Sequence, residues 1–444
     1  MTAAGTTTEI PLLGREGTQA PPVRIVHLGL GAFHRSHQAW FTEHASDSAE
    51  WGIASFTGRR PDAALTLAAQ DGLFTLIERG PEGDAFEVVG SIAEAVDGAD
   101  TDRLNELLAA PATALVTLTV TEAVYEKHDA DSPLARLVRG LAARRDAGAG
   151  PIAVVSCDNV AGNGEVAERA VLSIAEGLDA GSAGLADWIR DNVSFVGTSV
   201  DRITPRTTPE DIAEVAAQRG YRDEAPVVAE PFANWILSGG FPAGRPRWED
   251  AGAQFVDDIE PFENRKLWLL NGAHSLLAYA GQLRGHTTVA EAIDDAACRD
   301  AVEAFWNEAA RHLTLPGLGV PAYRDALLER FSNPRIAHHL AQIAADGTTK
   351  LRMRAVPVLT AELAEGRSGV AAARMIAAWI DFVSAAVAFG TDFQDPLKEP
   401  IVAAAGLEGR ERTQALTELV SAELAGDPLV VSRIDSLRGT FGAE

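Results

Sequence analysis

The sequence predicts a two-domain chain in which an α/β domain, built on a mostly parallel sheet, precedes a helical domain. From Val23 to about residue 200, short β-branched runs alternate with longer alanine- and leucine-rich stretches, a pattern typical of strands and helices around a parallel sheet. After Glu260, apolar residues recur every three or four positions, which indicates helices. The predicted domains are 1–257, of which 1–22 forms a loose leader, and 258–444.

Composition narrows the classes of protein. Of the 444 residues 46% are hydrophobic and 23% are charged, as in ordinary globular domains, and no apolar run is expected to be long enough to cross a bilayer. The formal net charge of -25 argues against nucleic-acid and membrane partners. Two distant cysteines, Cys157 and Cys298, exclude a disulfide framework. Because the first residues lack the features of a secretory signal, the expected location is cytoplasmic.

Individual elements follow from the same patterns. The predicted strands of the first domain are "RIVHLGL", "GIASF", "LFTLIE", "ALVTLTV", "IAVVSC" and "SFVGTSV". The helices predicted between and after them include "DRLNELLAA", "PLARLVRGLAARRDA", "EVAERAVLSIAEGL" and "TTPEDIAEVAAQRG". In the second domain they include "ENRKLWLLNGAHSLLAYAGQL", "DAACRDAVEAFWNEAARHL", "YRDALLERF", "PRIAHHLAQIAADG" and "GVAAARMIAAWIDFVSAAVAFG".

A G-x-G pair, Gly29 and Gly31, stands at the exit of the first predicted strand. Glycines at this place let backbone amides approach a pyrophosphate, and the following helix supplies partial positive charge, as in a Rossmann-like dinucleotide domain. On spacing alone, a tight turn without a ligand is an equal alternative. His34 and Arg35 occupy the place of a third glycine, either as donors near a phosphate or as polar residues of the first helical turn.

The end of the second strand leaves the cofactor type open. An acidic residue there favours NAD by binding the ribose 2′-hydroxyl. This chain has Thr57, Gly58, Arg59 and Arg60 instead. The two arginines fit either a 2′-phosphate of NADP or a solvated loop.

The stretch "NRKLWLLNGAHSLLAY" combines Lys266, Asn271 and His274 with an almost wholly apolar helix. Burial of such a helix would desolvate the lysine ammonium and lower its pKa, as a general base near neutral pH requires. At 100° per residue, Lys266 and Asn271 would lie about 140° apart, whereas Asn271 and His274 would be neighbours. The alternative is a snorkelling lysine, a capping asparagine and a satisfied core histidine.

Polar residues also follow two predicted strands of the first domain. Asp158 and Asn159 end one of them, with Asn163 a few residues later, and Asp201 ends another. Ligands of open α/β sheets bind at the carboxyl ends of strands, where an amide can stabilise an alkoxide. Ordinary turn chemistry explains the asparagines equally well, and an ion pair with Arg202 is the simple alternative for Asp201.

No metal is expected. The histidine pairs in "HRSH" and "HH" lack a third ligand nearby in sequence, and no element typical of covalent catalysis occurs.

Several motifs, in order along most of the chain, carry a resemblance to a known family. They are "GLGAFHRSHQA", "QDGLFTLIERG", "LTVTEAVY", "SCDNVAGNG", "VDRITP", "ENRKLWLLNGAHS" and "FSNPRIAHHLAQIAADGTTKL". With these motifs the sequence resembles the polyol-specific long-chain dehydrogenases, the mannitol dehydrogenase and fructuronate reductase group. The resemblance implies a metal-independent oxidoreductase of carbohydrate metabolism that uses NAD or NADP.

The resemblance also implies roles for residues. Lys266 would be the general base, Asn159 and Asn271 would hold the reacting oxygen, and His274 would orient the substrate or Lys266. The implied substrate-binding residues are Asp201, Asn163, Gln342 and Lys350, with Asn163 as an alternative to Asn159. The implied cofactor-binding residues are Gly29, Gly31, Ala32, Phe33, His34, Arg35, Thr121 and Glu122. Family members often carry arginine where this chain has Gln342, so the recognised hydroxyl pattern or acid group stays open.

The first expected substrate pair is mannitol and fructose, as for a mannitol 2-dehydrogenase. Mannonate and fructuronate come next, followed by mannitol 1-phosphate and fructose 6-phosphate. The expected partner is therefore a small polyol or sugar acid, with the protein as a monomer or weak homo-oligomer. A different class, a nucleotide-binding regulator without catalysis, is disfavoured by Lys266 and the two asparagines.

Overall fold

A computed structural model of the protein describes residues 10–126, 129, 131–178 and 184–442. The chain divides into two compact units, Met1–Ile259 and Glu260–Glu444.

The strands belong to the first unit. They are β1 (Val23–Leu28), β2 (Gly52–Phe56), β3 (Phe74–Arg79), β4 (Asp84–Val89), β5 (Ile92–Val96), β6 (Leu115–Leu118), β7 (Ile152–Ser156), β8 (Val193–Asp201), β9 (Val227–Ala229), β10 (Asn234–Ser238) and β11 (Gln254–Phe255). The helices of this unit are α1 (Ala32–His34), α2 (Trp40–Glu43), α3 (Asp62–Ala68), α4 (Thr101–Ala109), α5 (Ala123–Glu126), α6 (Pro133–Ala147), α7 (Asn163–Gly177), α8 (Leu185–Asn192) and α9 (Pro209–Arg219). A π-helical segment, Arg35–Ala39, joins α1 to α2.

An eight-stranded sheet in the order β11-β10-β8-β7-β6-β1-β2-β5 organises the first unit. The pairs from β8 through β5 are all parallel, and β10 runs antiparallel to β8. Because neighbouring side chains of a strand point to opposite faces, Ile25 enters one apolar core and Val26 the other. Helices α4, α6, α7 and α8 contribute to the second of these cores. The predicted α/β class is confirmed.

One predicted strand lies outside that sheet. "LFTLIE" corresponds to β3, which pairs antiparallel with β4 and parallel with β9 in a separate three-stranded sheet. The chain reverses at the turn where the Gly80 N–H donates to the Gly83 carbonyl at 3.0 Å, which makes β3 and β4 a hairpin. The local pattern of β3 is that of a buried strand, and therefore did not indicate which sheet it joins.

The prediction of a loose leader over 1–22 is wrong for its described part, residues 10–22. Leu13 is buried, and its N–H donates to the Arg222 carbonyl at 2.8 Å. The Arg15 guanidinium donates to the carbonyls of Gly90 and Ile92 at 2.6 and 2.9 Å. These long-range bonds anchor a segment whose composition alone resembles a surface tail.

The second unit is helical throughout its described part, as predicted. Its helices are α10 (Glu260–Arg265), α11 (Gly272–Leu283), α12 (Val289–Asp294), α13 (Ala296–Ala310), α14 (Val320–Phe331), α15 (Leu340–Ile343), α16 (Gly347–Arg354), α17 (Val356–Ala364), α18 (Val370–Phe389), α19 (Lys398–Ala405), α20 (Gly409–Val420), α21 (Ala422–Ala425) and α22 (Pro428–Ser436). A π-helical segment, Lys266–Asn271, joins α10 to α11.

Helix α11 is the central element of this unit and packs against α12, α13, α15, α16 and α18. Gly272 lets α13 approach closely, since a Cβ there would lie 2.5 Å from the Phe305 ring.

Helix α18 corrects the expectation that no apolar segment could span a bilayer. This 20-residue helix contains an 18-residue stretch with a mean hydropathy of 1.6, and so has the length and composition of a membrane span. However, 61% of that stretch is buried inside the protein, as in the core helix of a folded domain.

The helix predicted over "PRIAHHLAQIAADG" is mostly wrong. Only α15 is helical there, and His339 instead forms an isolated antiparallel bridge with Thr288. This bridge is a long-range contact that local periodicity does not reveal.

Candidate active site

The turn after β1 depends on glycine at position 29. Gly29 has φ +118°, and a Cβ on it would lie 2.0 Å from the Thr119 carbonyl oxygen. The N–H groups of Gly29 and Leu30 donate to the Phe56 carbonyl at 3.0 and 2.9 Å. The backbone therefore packs against the loop after β6 with no room for a side chain.

A cleft of about 970 Å³ opens beside this turn. Its lining comes from the loops after four parallel strands: Gly29 after β1, Gly58 and Arg59 after β2, Ala99 and Thr101 after β5, and Thr119, Val120, Thr121, Ala123 and Val124 after β6, together with Asp129, Asp131, Ser132, Pro133 and Arg136. The sheet order reverses between β1 and β6, and such a switch point is where open α/β sheets bind ligands.

His34 and Arg35 do not supply side-chain donors to this cleft, contrary to the expectation from sequence. His34 is fully buried, stacks on His27 with ring centroids 3.4 Å apart, and bonds the Ser55 hydroxyl at 2.9 Å. Burial lowers the pKa of His34 well below its ordinary value, so the ring is neutral. The Arg35 guanidinium donates to the Ala225 and Gly31 carbonyls, which ties the helix to a neighbouring loop.

The remaining predicted cofactor residues divide into two sets. Gly29 and Thr121 line the cleft, and Glu122 is exposed in the same loop as Thr121. Gly31 caps α1, and Ala32 and Phe33 are half-buried in the first turn. Because the side chain of His34 faces the interior, this residue could contact a cofactor only through its backbone.

A buried polar network joins the ends of β6 and β7. The Tyr125 hydroxyl donates to Asp158 Oδ2 at 2.5 Å and lies 3.0 Å from the Ser156 hydroxyl. Burial raises the pKa of Asp158 to about 7, although the bond from Tyr125 opposes this shift. Burial also raises the pKa of Tyr125, so the phenol stays protonated.

The stability of the first unit is expected to depend on pH through Asp158. The folded state holds a proton on this carboxyl up to about pH 7, whereas the unfolded chain releases it near its ordinary pKa of 3.8. Stability should therefore fall as pH rises between these values, by at most about 4 kcal/mol. The Asp158→Asn variant should flatten this slope in urea unfolding between about pH 4 and 7.5. A slope equal to wild type would contradict the assignment, and Asp102→Asn on the exposed surface of α4 is the control.

The asparagines after β7 differ in their surroundings. Asn159 is exposed at the carboxyl end of the strand. Asn163 is buried, and its amide nitrogen donates to the carbonyls of Asp158 and Thr198 at 2.8 and 2.7 Å. Both amide hydrogens of Asn163 are thus used to connect the turn to β8, and neither is left to donate to a substrate.

Asp201 ends β8 and is buried opposite Asn234 of β10. Its neighbour Arg202 donates to Glu78 at 3.0 Å. The ion pair at this position therefore joins β8 to β3.

In the second unit, the lysine helix contains a π-helical turn that the sequence did not predict. The Gly272 N–H donates to the Leu267 carbonyl five residues earlier. Because i→i+5 bonding adds a residue to the turn, side chains five positions apart lie on nearly the same face. Lys266 and Asn271 thus share a face, and the 140° separation expected from regular α geometry is wrong. Full burial is also wrong for Lys266, which is half-buried.

Four of the predicted site residues surround one cavity of about 240 Å³ in this unit. Its lining consists of Asn271, His274, His338, Gln342, Ile343, Lys350 and Arg354. Helix α11 contributes His274, the preceding π turn contributes Asn271, and α16 contributes Lys350. Lys266 does not line this cavity.

His274 has a polar atom that no described residue satisfies. The ring is buried between Phe331 and His338, each with its centroid 4.8 Å away, and Nε2 has no hydrogen-bond partner. Burial lowers the pKa of His274 well below its ordinary value, and the positive groups nearby reinforce the shift. A buried polar atom without a partner costs free energy, which a bound polyhydroxylated ligand would recover.

Two cavity residues, His338 and Arg354, were not predicted. The signal for Arg354 is its position four residues after Lys350, which places both cations on one face of α16. His338 lies outside any helix, so no periodic signal marks it.

Comparison with known families identifies the chain. Residues 23–250 match the model of the mannitol dehydrogenase Rossmann domain, and residues 258–437 match that of the mannitol dehydrogenase C-terminal domain. The chain belongs to the mannitol dehydrogenase family. The resemblance inferred from the sequence motifs and the predicted Rossmann-like fold are thus confirmed.

Relatives in this family act on different substrates. D-mannonate oxidoreductase of Escherichia coli (strain K12) is 39% identical over 431 residues, which cover 89% of this chain and 88% of that protein. Mannitol 2-dehydrogenase of Pyrenophora tritici-repentis is 34% identical over 455 residues, covering 95% and 78%.

Two solved structures of named polyol dehydrogenases share the fold. The ternary complex of Pseudomonas fluorescens mannitol 2-dehydrogenase with NAD and D-mannitol has a TM-score of 0.75 and 32% identity, covering 97% of this chain and 94% of that one. Substrate-free D-sorbitol dehydrogenase has a TM-score of 0.83 and 28% identity, covering 95% and 100%.

Proposed function

We propose that the protein is an NAD(P)-dependent oxidoreductase that interconverts a polyol or sugar acid and its ketose by hydride transfer. The observation that supports this most is the cavity of the second unit, where Asn271, His274, Gln342 and Lys350 meet.

The cleft of the first unit fits a dinucleotide. At Gly29 the turn packs its backbone against the loop after β6 without a side chain between them, and the loops after β1, β2 and β6 supply the lining. We propose that Gly29, Gly31, Thr121 and Glu122 hold the cofactor, together with the backbone of 32–35. NAD, with which the Pseudomonas fluorescens relative was solved, is the first choice, and it supplies the hydride acceptor when bound. Arg59 in the cleft keeps NADP as the alternative.

Residues of the chain then accept the proton and stabilise the reacting oxygen of the substrate. Lys266, in its neutral form, takes the proton from the substrate hydroxyl as a general base. The amides of Asn271 and Asn159 donate to the oxygen as negative charge develops on it, which lowers the barrier in the way an oxyanion hole does. His274 orients the substrate from the cavity wall, and Asp201 supports the site. No residue in this scheme requires a metal, and metal independence stays a prediction.

Mannitol and fructose are the first substrate pair to test, with mannonate and fructuronate as the second candidate. The second pair is favoured by the two cations in the cavity, Lys350 and Arg354, which suit an acid group. We propose cytoplasmic location and a monomer or weak homo-oligomer.

The test is turnover by the purified protein. NADH or NADPH absorbance at 340 nm is followed with hexitols, ketohexoses, aldonates, ketouronates and hexitol phosphates. Turnover of one polyol or sugar-acid pair is expected. If none of these compounds changes the absorbance with either cofactor, the proposed function is wrong and a non-catalytic role gains support.

Replacing Asn271 by alanine is expected to lower kcat by on the order of 10²-fold, as loss of one oxyanion donor commonly does. The substrate KM should change less, because the amide acts mainly in the transition state. Steady-state kinetics measure both parameters. Asn307→Ala, which removes an exposed amide of α13, is the control. An unchanged kcat for Asn271→Ala would remove this residue from the mechanism.

A further inference from the structure

Two cations share the cavity of the second unit, and neither forms a salt bridge with a carboxylate of the described residues. Arg354 donates through Nη1 to the Asn271 carbonyl at 3.1 Å and to the Ser275 hydroxyl at 2.8 Å. Lys350 donates to the Ile343 carbonyl at 3.0 Å. These hydrogen-bond partners are neutral, and the carboxylates of Asp346 and Asp395 act on Lys350 only through longer-range attraction that is weaker than the effect of its burial.

The unused hydrogen-bond donors are what a ligand would contact. Arg354 Nε is buried and has no partner, and Lys350 uses one of its three ammonium hydrogens. His274 Nε2, in the same wall, is buried and also unpartnered. The lining residues include no aspartate or glutamate in the described structure.

Burying a cation without a directly bound counter-ion is unfavourable, and an anionic ligand reverses that cost. Desolvation already lowers the pKa of Lys350 and brings that of Arg354 to about 10. Both groups nevertheless carry charge near neutral pH in the presence of an anion, since a nearby negative charge raises the pKa of each.

We propose that Arg354 and Lys350 bind the carboxylate of the substrate, and that the protein consequently prefers an aldonate and its ketouronate to a neutral hexitol and ketose. The inference rests on the proposed function and specifies its substrate class. A planar guanidinium with free N–H groups matches the two oxygens of a carboxylate. Lys350 adds a point charge from one helical turn earlier. Arg354 is then the residue that determines specificity, and Gln342 contributes only neutral hydrogen bonds.

The experiment compares kcat/KM for D-mannonate and D-mannitol in wild type and Arg354→Gln, with the reverse reactions on fructuronate and fructose. Wild type should prefer the acids. Arg354→Gln should lose on the order of 10²-fold in kcat/KM for the acids, mostly as a rise in KM, while the values for the neutral pair change by about threefold or less. Arg354→Lys should recover part of the loss because it keeps the charge without the planar fork.

A matched control is available on the same helix. Arg352 is exposed, lies outside the cavity and donates to the carbonyls of Leu419 and Val420. Arg352→Gln should alter the acid and neutral activities equally. If Arg354→Gln does not fold, Arg354→Lys serves for the comparison, because it keeps the charge and should still lose more kcat/KM for the acids than for the neutral pair.

The outcomes separate the two proposals. Turnover of neutral hexitols in preference to acids, of hexitol phosphates in preference to both, or an equal loss for acid and neutral substrates in Arg354→Gln would overturn the carboxylate assignment while leaving the oxidoreductase function intact. The absence of any NAD(P)-linked turnover would instead overturn the proposed function itself.

Discussion

Replacing Lys266 by alanine is expected to lower turnover by on the order of 10³-fold or more at neutral pH, with the affinity for NAD(H) nearly unchanged. A general base contributes most of this through proton transfer in the transition state, and the other half of the chain carries the cleft proposed for the cofactor. Steady-state kinetics give the rate, and quenching of protein fluorescence or calorimetric titration with NADH gives the affinity.

The control for Lys266→Ala is Lys398→Ala, since Lys398 belongs to the same unit and pairs with Asp392 on the surface. Its rate should equal that of wild type. A second check is the pH profile of polyol oxidation: the fall in rate toward acid pH that reports protonation of the base in wild type should disappear in Lys266→Ala. Retention of wild-type turnover in Lys266→Ala would leave the proton transfer without its proposed acceptor.

Replacing Gly29 by alanine is expected to destabilise the first unit by on the order of 3 kcal/mol or more and to abolish NAD(H) binding. The added Cβ would lie 2.0 Å from a backbone carbonyl oxygen, and the backbone at φ +118° is unfavourable for any other residue. The contact is with backbone on both sides, so no rotamer change relieves it. Urea unfolding and NADH titration of the variant measure the two effects.

Gly31→Ala is the matched control for stability, two residues along the same turn. Its φ is -141° and the nearest contact of an added Cβ is 3.6 Å. We expect a loss within about 1 kcal/mol, which reflects only the poorer cap that alanine makes at the start of a helix. Equal destabilisation by the two substitutions would show that the close approach at Gly29 is not the cause.

Local sequence patterns were sufficient to predict an element when residues at its own ends determine where it begins and stops. Helix α6 begins and ends where the sequence predicts, because Ser132 caps its first turn and Gly148 adopts the left-handed conformation at its end. The strand "GIASF" likewise coincides with β2. The pairing of β3 and the bridge at His339 were missed because distant parts of the chain determine them.

Only part of the site could be predicted, again because a local sequence pattern does not show which distant groups a side chain contacts. Asn271, His274, Gln342 and Lys350 were named from motifs, and the structure places them around one cavity, although their roles remain predictions. His34 and Asn163 were assigned to ligands, yet their side chains are used within the fold. A sequence does not distinguish a polar side chain that faces a ligand from one that satisfies buried backbone, since both occur next to glycine turns.

The widened turn at Lys266–Asn271 has a consequence for engineering this enzyme scaffold. Deleting one amino acid from that turn would restore regular α-helical winding. The residues of the helix before the deletion would then rotate by about 100° relative to the residues of α11 that line the cavity. Substitutions chosen to strengthen ordinary helix winding there would act in the same direction. Consensus or thermostabilising designs should therefore exempt these six positions, because a more regular helix would move Lys266 off the face that it shares with Asn271.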